Sequence, residues 1–180
     1  EIPHIKGLSR AFTDNLNAAA ASVAKILEAG CKRVAFVTKN FNKYNTKLRY
    51  EGYRQALKDA AIPYDESLVI VDYAAGVGEK LIRIVPKPDA VFFADGLDRF
   101  PQALPCMYRE GLIPGKNITL AGFDDNHWGV LKSMNIPYVS VNQDTSLIAH
   151  EAVKSMFKQL ASARKEELII IQANIENHIF

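Results

Sequence analysis

Cysteine is close to absent from the chain: two residues in 180, Cys31 and Cys106, one opening a predicted strand and one inside a predicted helix. Two isolated thiols fit a reducing compartment better than a disulfide framework, although the pair could bridge. No run approaches the ~20 apolar residues that a membrane span needs. The opening Glu-Ile-Pro-His lacks the charged-then-apolar layout of a signal peptide and has no initiator methionine. A processed or trimmed chain in the cytoplasm is the expectation. Charge of one sign is missing as well: 22 basic residues face 20 acidic ones, for a net charge of +2, and never form a block. Direct binding of nucleic acid by this chain is therefore not expected. What is present is a core, since 48% hydrophobic and 23% charged residues exclude a disordered chain.

Periodicity and cap signals divide the sequence into alternating elements. Thr13 is placed to cap a helix with Asp14 in its first turn; Ala20, Val23, Ala24 and Leu27 form its apolar face and Gly30 stops it. A second helix over 46–61 carries Leu48, Tyr53, Ala56 and Leu57 on one face and is closed by Pro63. Shorter helices are predicted over 76–85, 101–110 and 128–134, and a long amphipathic one over 146–161. Apolar runs at 33–38, 67–72, 90–94, 117–122, 138–141 and 168–173 read as strands. Strands alternating with helices at this spacing imply right-handed crossovers and an α/β fold, a Rossmann-like, doubly wound and mainly parallel sheet covered on both faces. Residues 2–5 read as the end of a strand without a partner. A self-sufficient domain rarely opens on such an edge, so a missing N-terminal neighbour is expected.

Catalytic signatures are scarce. In such a sheet the chemistry sits at the carboxyl ends of the strands. The first strand-to-helix loop, Lys39-Asn-Phe-Asn-Lys-Tyr-Asn-Thr46, contains no glycine. A phosphate cradle needs glycine for close backbone approach, so P-loop and dinucleotide fingerprints are absent. The Gly76-Val-Gly78 pair reads as the start of a helix. His4, His127, His150 and His178 are scattered without metal-ligand spacing, and neither a serine nor a cysteine stands in a nucleophile context. No catalytic residue, metal or cofactor is expected. The pair Asp124-Asp125 after a strand is open to four readings: a divalent-cation site, an acid–base pair, acceptors for ligand hydroxyls, or a turn cap.

The segment around that pair, Ile113-Pro-Gly-Lys-Asn-Ile-Thr-Leu-Ala-Gly-Phe-Asp-Asp125, is similar to the best-marked stretch of LacI/GalR transcription regulators. Other blocks agree in order and separation: Asp14-Asn15 opening a helix that ends Leu-x-x-Gly, Arg49-x-x-Gly52-Tyr53-x-x-Ala56-Leu57, Pro88-Asp89-Ala90-Val91-Phe92, and Val139-x-Val141-x-Gln143-Asp144 before a helix. The resemblance covers nearly all of the chain. It implies the C-terminal part of a periplasmic-binding-protein-like (type I) effector module, truncated in its N-terminal lobe. Residues 1–13 and about 142–163 would be remnants of the first lobe, and about 14–141 and 164–180 the second. The DNA-binding domain would lie outside the chain.

The resemblance also implies a ligand site between the lobes. Arg49 would bond ligand hydroxyls or a carboxylate, and Asp124 would accept from sugar hydroxyls. Tyr73 is either a stacking platform or a core residue, as is Trp128. Asp95 and Gln143 occupy the remaining polar positions, and Lys43 in the first loop is a further candidate. The chain departs from the family after Ala94, where Asp95-Gly-Leu-Asp-Arg-Phe-Pro101 displaces the usual polar group, and at the end, where Ile175-Glu-Asn-His-Ile179 replaces an arginine-rich stretch. The function implied is sensing of a small effector, a sugar in preference to a nucleobase, by a cytoplasmic repressor or activator. Such a regulator would be homodimeric, would not contact a membrane, and would reach operator DNA only through a domain absent from this chain. A sugar-binding protein of a transport system shares the fold, and an enzyme using Asp124 and Asp125 with a metal is the third reading. Replacing Arg49 or Asp124 with alanine is expected to abolish ligand binding and leave the fold intact.

Overall fold

A computed structural model describes residues 6–72, 76–96, 100–124, 128–161 and 166–179; of Phe100, Gln102, Trp128 and Val130 it describes the backbone alone. The elements run β1 (Arg10–Thr13), α1 (Asn15–Glu28), β2 (Val34–Thr38), α2 (Tyr44–Asp59), a 3-10 turn (Glu66–Leu68), β3 (Val69–Val71), α3 (Gly76–Arg83), β4 (Ala90–Phe93) and α4 (Phe100–Arg109). Then follow β5 (Thr119–Phe123), α5 (Trp128–Ser133), β6 (Tyr138–Asn142), α6 (Thr145–Ala161), β7 (Leu168–Ile171) and β8 (Asn174–Asn177). Six strands form one sheet in the order β3-β2-β4-β5-β6-β8, parallel except that β8 runs antiparallel to β6. β1 and β7 form a separate parallel pair against which α6 packs.

The two-residue period of the strands sorts the core into two layers. Val34 and Phe36 of β2, Ala90 and Phe92 of β4, and Phe123 of β5 join Val23, Ile26 and Tyr53 on the α1–α2 side. Ala35, Val37, Val91, Phe93 and Leu120 point the other way, onto Leu81, Met107 and Leu131 of α3, α4 and α5. The register sets Phe36 beside Phe92 and Phe92 beside Ala121, and the rings of Phe92 and Phe123 meet edge to face at 6.1 Å. Burying each such ring contributes about 1.5–3 kcal/mol.

Two of the family-like motifs have plain structural causes. Asp89 accepts from the backbone N–H groups of Lys32 and Arg33, both at 2.8 Å, and so pins the start of β2 to the start of β4. Asn117 accepts from Ile113 N and donates to Gly111 O, both at 2.7 Å, which closes the Ile-Pro turn before β5.

Several sequence expectations need correction. Asp14, not Thr13, caps α1: its carboxylate accepts from Asn17 N at 3.2 Å, while Thr13 ends β1. The buried face of α1 is Ala18, Ala19, Ser22, Val23 and Ile26, whereas Ala20, Ala24 and Leu27 are half-buried. In an alanine-rich helix the apolar face has little contrast against the rest, and packing chooses it. Strands β1 and β8 were not anticipated. The last predicted strand, over 168–173, stops at Ile171 and pairs with β1, so the passage into the larger sheet comes at β8. Residues 2–5, the expected unpaired strand end, lie outside the described residues.

Asp14 also ties two passages between the sheets together. Its N–H donates to Ile171 O at 2.8 Å, and Gln172 Nε2 donates to its carboxylate at 3.1 Å. Burial alone would push this carboxyl up, but the bonds from Asn17 and Gln172 outweigh it and hold its pKa below the ordinary 3.8. A carboxyl depressed on folding stabilises above its unfolded value and loses that contribution as the pH falls through the folded value. Asp14→Ala is therefore expected to cost about 1 kcal/mol at pH 7. The difference should shrink toward zero as the pH drops through the folded value, below 3.8, in urea denaturation series. A cost independent of pH would contradict the cap.

Candidate functional site

The carboxyl ends of β2, β4, β5 and β6 present Thr38, Asp95, Asp124 and Gln143 along one edge of the large sheet, where open α/β sheets place ligands. β1 faces that edge. Between them lies a cavity of about 270 Å³ lined by Ala11, Phe12 and Thr13 from β1, by Lys43, Asn45 and Arg49 from α2 and its approach, and by Asp95, Asp124, Gln143 and Ile148.

Arg49 is the centre of this arrangement. The helical spacing that buries Thr46, Arg49, Gly52 and Tyr53 on one face of α2 sends its side chain inward, and it is only 3% exposed. Nε donates to Asn15 Oδ1 at 2.7 Å, Nη1 to Ala94 O at 2.5 Å, and Nη2 to Gln143 Oε1 at 3.5 Å. The guanidinium carbon lies 3.6 Å from the centroid of the Phe123 ring, a cation–π contact in a desolvated setting. A buried cation needs this many partners, because an unpaired one would cost several kcal/mol.

Asp124 follows β5 in the left-handed region, at φ 59°. That conformation costs an L residue about 1–2 kcal/mol. Such strain is retained where the surrounding structure enforces it, often at binding sites. Here Asp124 N donates to Val141 O at 3.0 Å, and the carboxylate accepts from Gln143 Nε2 at 2.5 Å.

Asp95 lines the same cavity but its carboxylate is engaged by the protein. It accepts from Thr38 Oγ1 and Lys39 N, both at 2.7 Å, and from Thr46 Oγ1 at 3.1 Å. One carboxylate thus joins the end of β2 to the start of α2. It shapes the glycine-free loop that carries Lys43 and Asn45, where Lys43 itself makes no side-chain cap for the helix. A ligand contact by Asp95 would come in addition to this positioning role.

A larger cavity, about 810 Å³, lies elsewhere, along α1 and the C-terminal end of α2, where alanines of both helices line it with Leu27, Cys31 and Ile62. It lacks a convergent set of polar groups such as that around Arg49, and size alone does not make it the site. Burial pushes the Cys31 thiol up, against a weaker opposite pull from Thr119, so this cysteine is not an activated nucleophile.

A family model for the periplasmic binding protein-like domain matches residues 23–175. The chain belongs to this family. The HTH-type transcriptional regulator CelR of Thermobifida fusca is 28% identical over 171 residues, covering 92% of this chain and 48% of that protein. The HTH-type transcriptional repressor PurR of Histophilus somni is 21% identical over 150 residues, covering 81% and 44%. A solved CelR–cellobiose complex superimposes with a TM-score of 0.82 at 22% identity, over 97% of this chain and 55% of that one, which shows the shared fold. The chain spans about half the length of the curated relatives it matches. Both of these relatives are named as transcriptional regulators.

Of the residues named from the sequence, the fold brings Lys43, Arg49, Asp95, Asp124 and Gln143 to one cavity. Tyr73 and Asp125 lie outside the described residues, as does the side chain of Trp128, whose backbone begins α5. Among the described residues no group of three or more histidines, cysteines or acids could hold a metal, and no helix is long and apolar enough to cross a membrane. Sequence reasoning missed Thr13, Asn15 and Asn45. Thr13 and Asn15 flank the capping Asp14, and a polar triplet at a strand-to-helix junction was the available signal. Asn45 carried none.

Proposed function

We propose that this domain binds a neutral, hydroxyl-rich ligand, a sugar, in the cavity between β1 and the edge of the large sheet, and that occupancy alters DNA binding by the whole protein. The observation that carries this reading is the juxtaposition of a buried, fully braced guanidinium and a carboxylate on either side of one amide, Arg49–Gln143–Asp124, all lining the cavity. A planar fork and an acceptor-only carboxylate suit vicinal hydroxyls, which both donate and accept. The 270 Å³ space lies just under the common range of about 300–1,000 Å³ for small-molecule sites. The cellobiose held by a structural relative makes a glucoside the first probe.

In the same reading, β1, α6 and β7 belong to a first lobe and the six-stranded sheet to a second. Val153, Met156, Phe157 and Leu160 of α6 and Leu168 and Ile170 of β7 leave a large apolar surface exposed, with Leu160 at 75%. Such a surface supports a first lobe completed by more of the protein. Homodimerisation, a cytoplasmic location and a DNA-binding domain elsewhere in the protein complete the proposal.

Titration calorimetry of the full-length protein with cellobiose, glucose and a panel of other neutral saccharides tests it. At least one should bind. Asp124→Ala should weaken that binding by about 10- to 150-fold, the worth of a hydrogen bond to a charged group. Equal affinity for the variant, or no saccharide bound by the wild type, would contradict the reading.

A further inference from the structure

Gln143, the residue after β6, is held at both ends of its amide. Oε1 accepts from Thr13 Oγ1 at 2.9 Å and from Arg49 Nη2 at 3.5 Å, while Nε2 donates to Asp124 Oδ1 at 2.5 Å. Charge fixes the orientation: the flipped amide would turn its oxygen to a carboxylate and its NH₂ to a guanidinium. Thr13 is 2% exposed and is the last residue of β1, which hydrogen-bonds to β7 and not to the large sheet. Asp124 closes β5, in the middle of the large sheet.

The three passages between the two sheets also meet here. The first is Thr13–Asn15, whose Asn15 side chain accepts from Arg49 Nε and donates to Thr13 O at 2.8 Å. The second is Gln143 itself. The third, after β7, is bound to the first through Asp14, which accepts from Gln172. An amide bridging a strand of one sheet to a carboxylate at the edge of the other can pass a change at one to the other, because both of its ends are committed.

We propose that Gln143 is a positioning residue that couples the state of the Asp124 carboxylate to the seating of the β1–β7 pair; its regulatory use rests on the reading of this cavity as the effector site. A ligand hydroxyl that draws on Asp124 competes with Gln143 Nε2 for the same carboxylate oxygens. The amide then turns, and the bond to the buried Thr13 hydroxyl lengthens with it.

The test needs no ligand. Amide hydrogen exchange is measured on the full chain for wild type, Asp124→Ala, Gln143→Met and the double variant. Asp124→Ala should speed exchange of the β1 and β7 amides about 5-fold or more, with smaller changes in β2 and β4. Gln143→Met should do the same, and the double variant should exceed neither. Thr13→Val, which removes one hydroxyl at constant shape, should reproduce Gln143→Met, and Thr13→Ser should restore wild-type exchange. The proposal is overturned if Asp124→Ala leaves β1 and β7 unchanged, if the two substitutions multiply, or if Thr13→Val behaves as wild type. A coupled result beside a failed saccharide titration would retain the relay and remove the sugar reading, so the two failures are separable.

Discussion

Gly52→Ala is expected to lower stability by about 3 kcal/mol, although alanine is the better helix former. Gly52 sits inside α2, where glycine costs about 0.5–1 kcal/mol against alanine. The reason it is there is the crossing with α1. A Cβ at this position would lie 2.2 Å from Leu16 O, 2.9 Å from Ala20 N and 3.0 Å from Ala19 Cβ. Two of these atoms are backbone, so no rotamer change relieves the contact and the helices must move apart. The consequence reaches the site, because Leu16 adjoins Asn15 and Gly52 is one turn beyond Arg49. Spreading α1 from α2 would lengthen the 2.7 Å bond between Arg49 Nε and Asn15 Oδ1. Urea denaturation with saccharide titration should show both losses. A variant as stable as wild type, or more stable by the helix-propensity difference, would contradict the close crossing.

Arg49→Ala should be the most disruptive change at the site, and for two reasons that separate experimentally. The resemblance implies a ligand-contacting arginine whose removal leaves the fold intact. The structure instead buries it, braced by Asn15, Ala94 and Gln143 and stacked on Phe123. Truncation leaves these acceptors without their donor beside a void, an expected loss of about 3 kcal/mol. Arg49→Lys keeps the charge but cannot serve Asn15 and Ala94 at once, so it should fall between the two. Binding by Arg49→Ala should be lost, yet only the part that exceeds the unfolding penalty reports on ligand contact. Asp124→Ala is the cleaner probe, since that carboxylate is bound to a neutral amide. An Arg49→Ala protein within 0.5 kcal/mol of wild type in urea would overturn the bracing role.

What was legible in the sequence was legible for physical reasons. Val34–Thr38 and Ala90–Phe93 read as strands because both faces of a central parallel strand are buried, so their apolar runs are continuous. Gly30 and Gly111 read as helix stops, and both take positive φ, 98° and 76°. β8 did not, because Asn-Ile-Glu-Asn is an edge segment whose pairing with β6 is dictated by the fold and not by its composition. β1 failed for a similar reason: Arg-Ala-Phe-Thr is four half-polar residues whose partner stands more than 150 positions later.

The site divides in the same way. Arg49, Asp124 and Gln143 could be named because they sit in motifs at strand and helix ends. The work done by Asp95 could not, since nothing local in Ala94-Asp95-Gly96 shows that its carboxylate holds Thr38, Lys39 and Thr46 together. Thr13 could be seen only as a cap, because its partner is 130 residues away. Long-range hydrogen bonds leave no periodic trace.

The most direct test of the account is a crystal structure of the full-length protein with a saccharide bound. The account predicts ring hydroxyls within hydrogen-bond distance, about 2.6–3.2 Å, of Asp124 and of the guanidinium of Arg49, with β1 closing the opposite side. A saccharide seated instead in the alanine-lined space between α1 and α2, or at any surface that leaves Arg49 and Asp124 untouched, would contradict it.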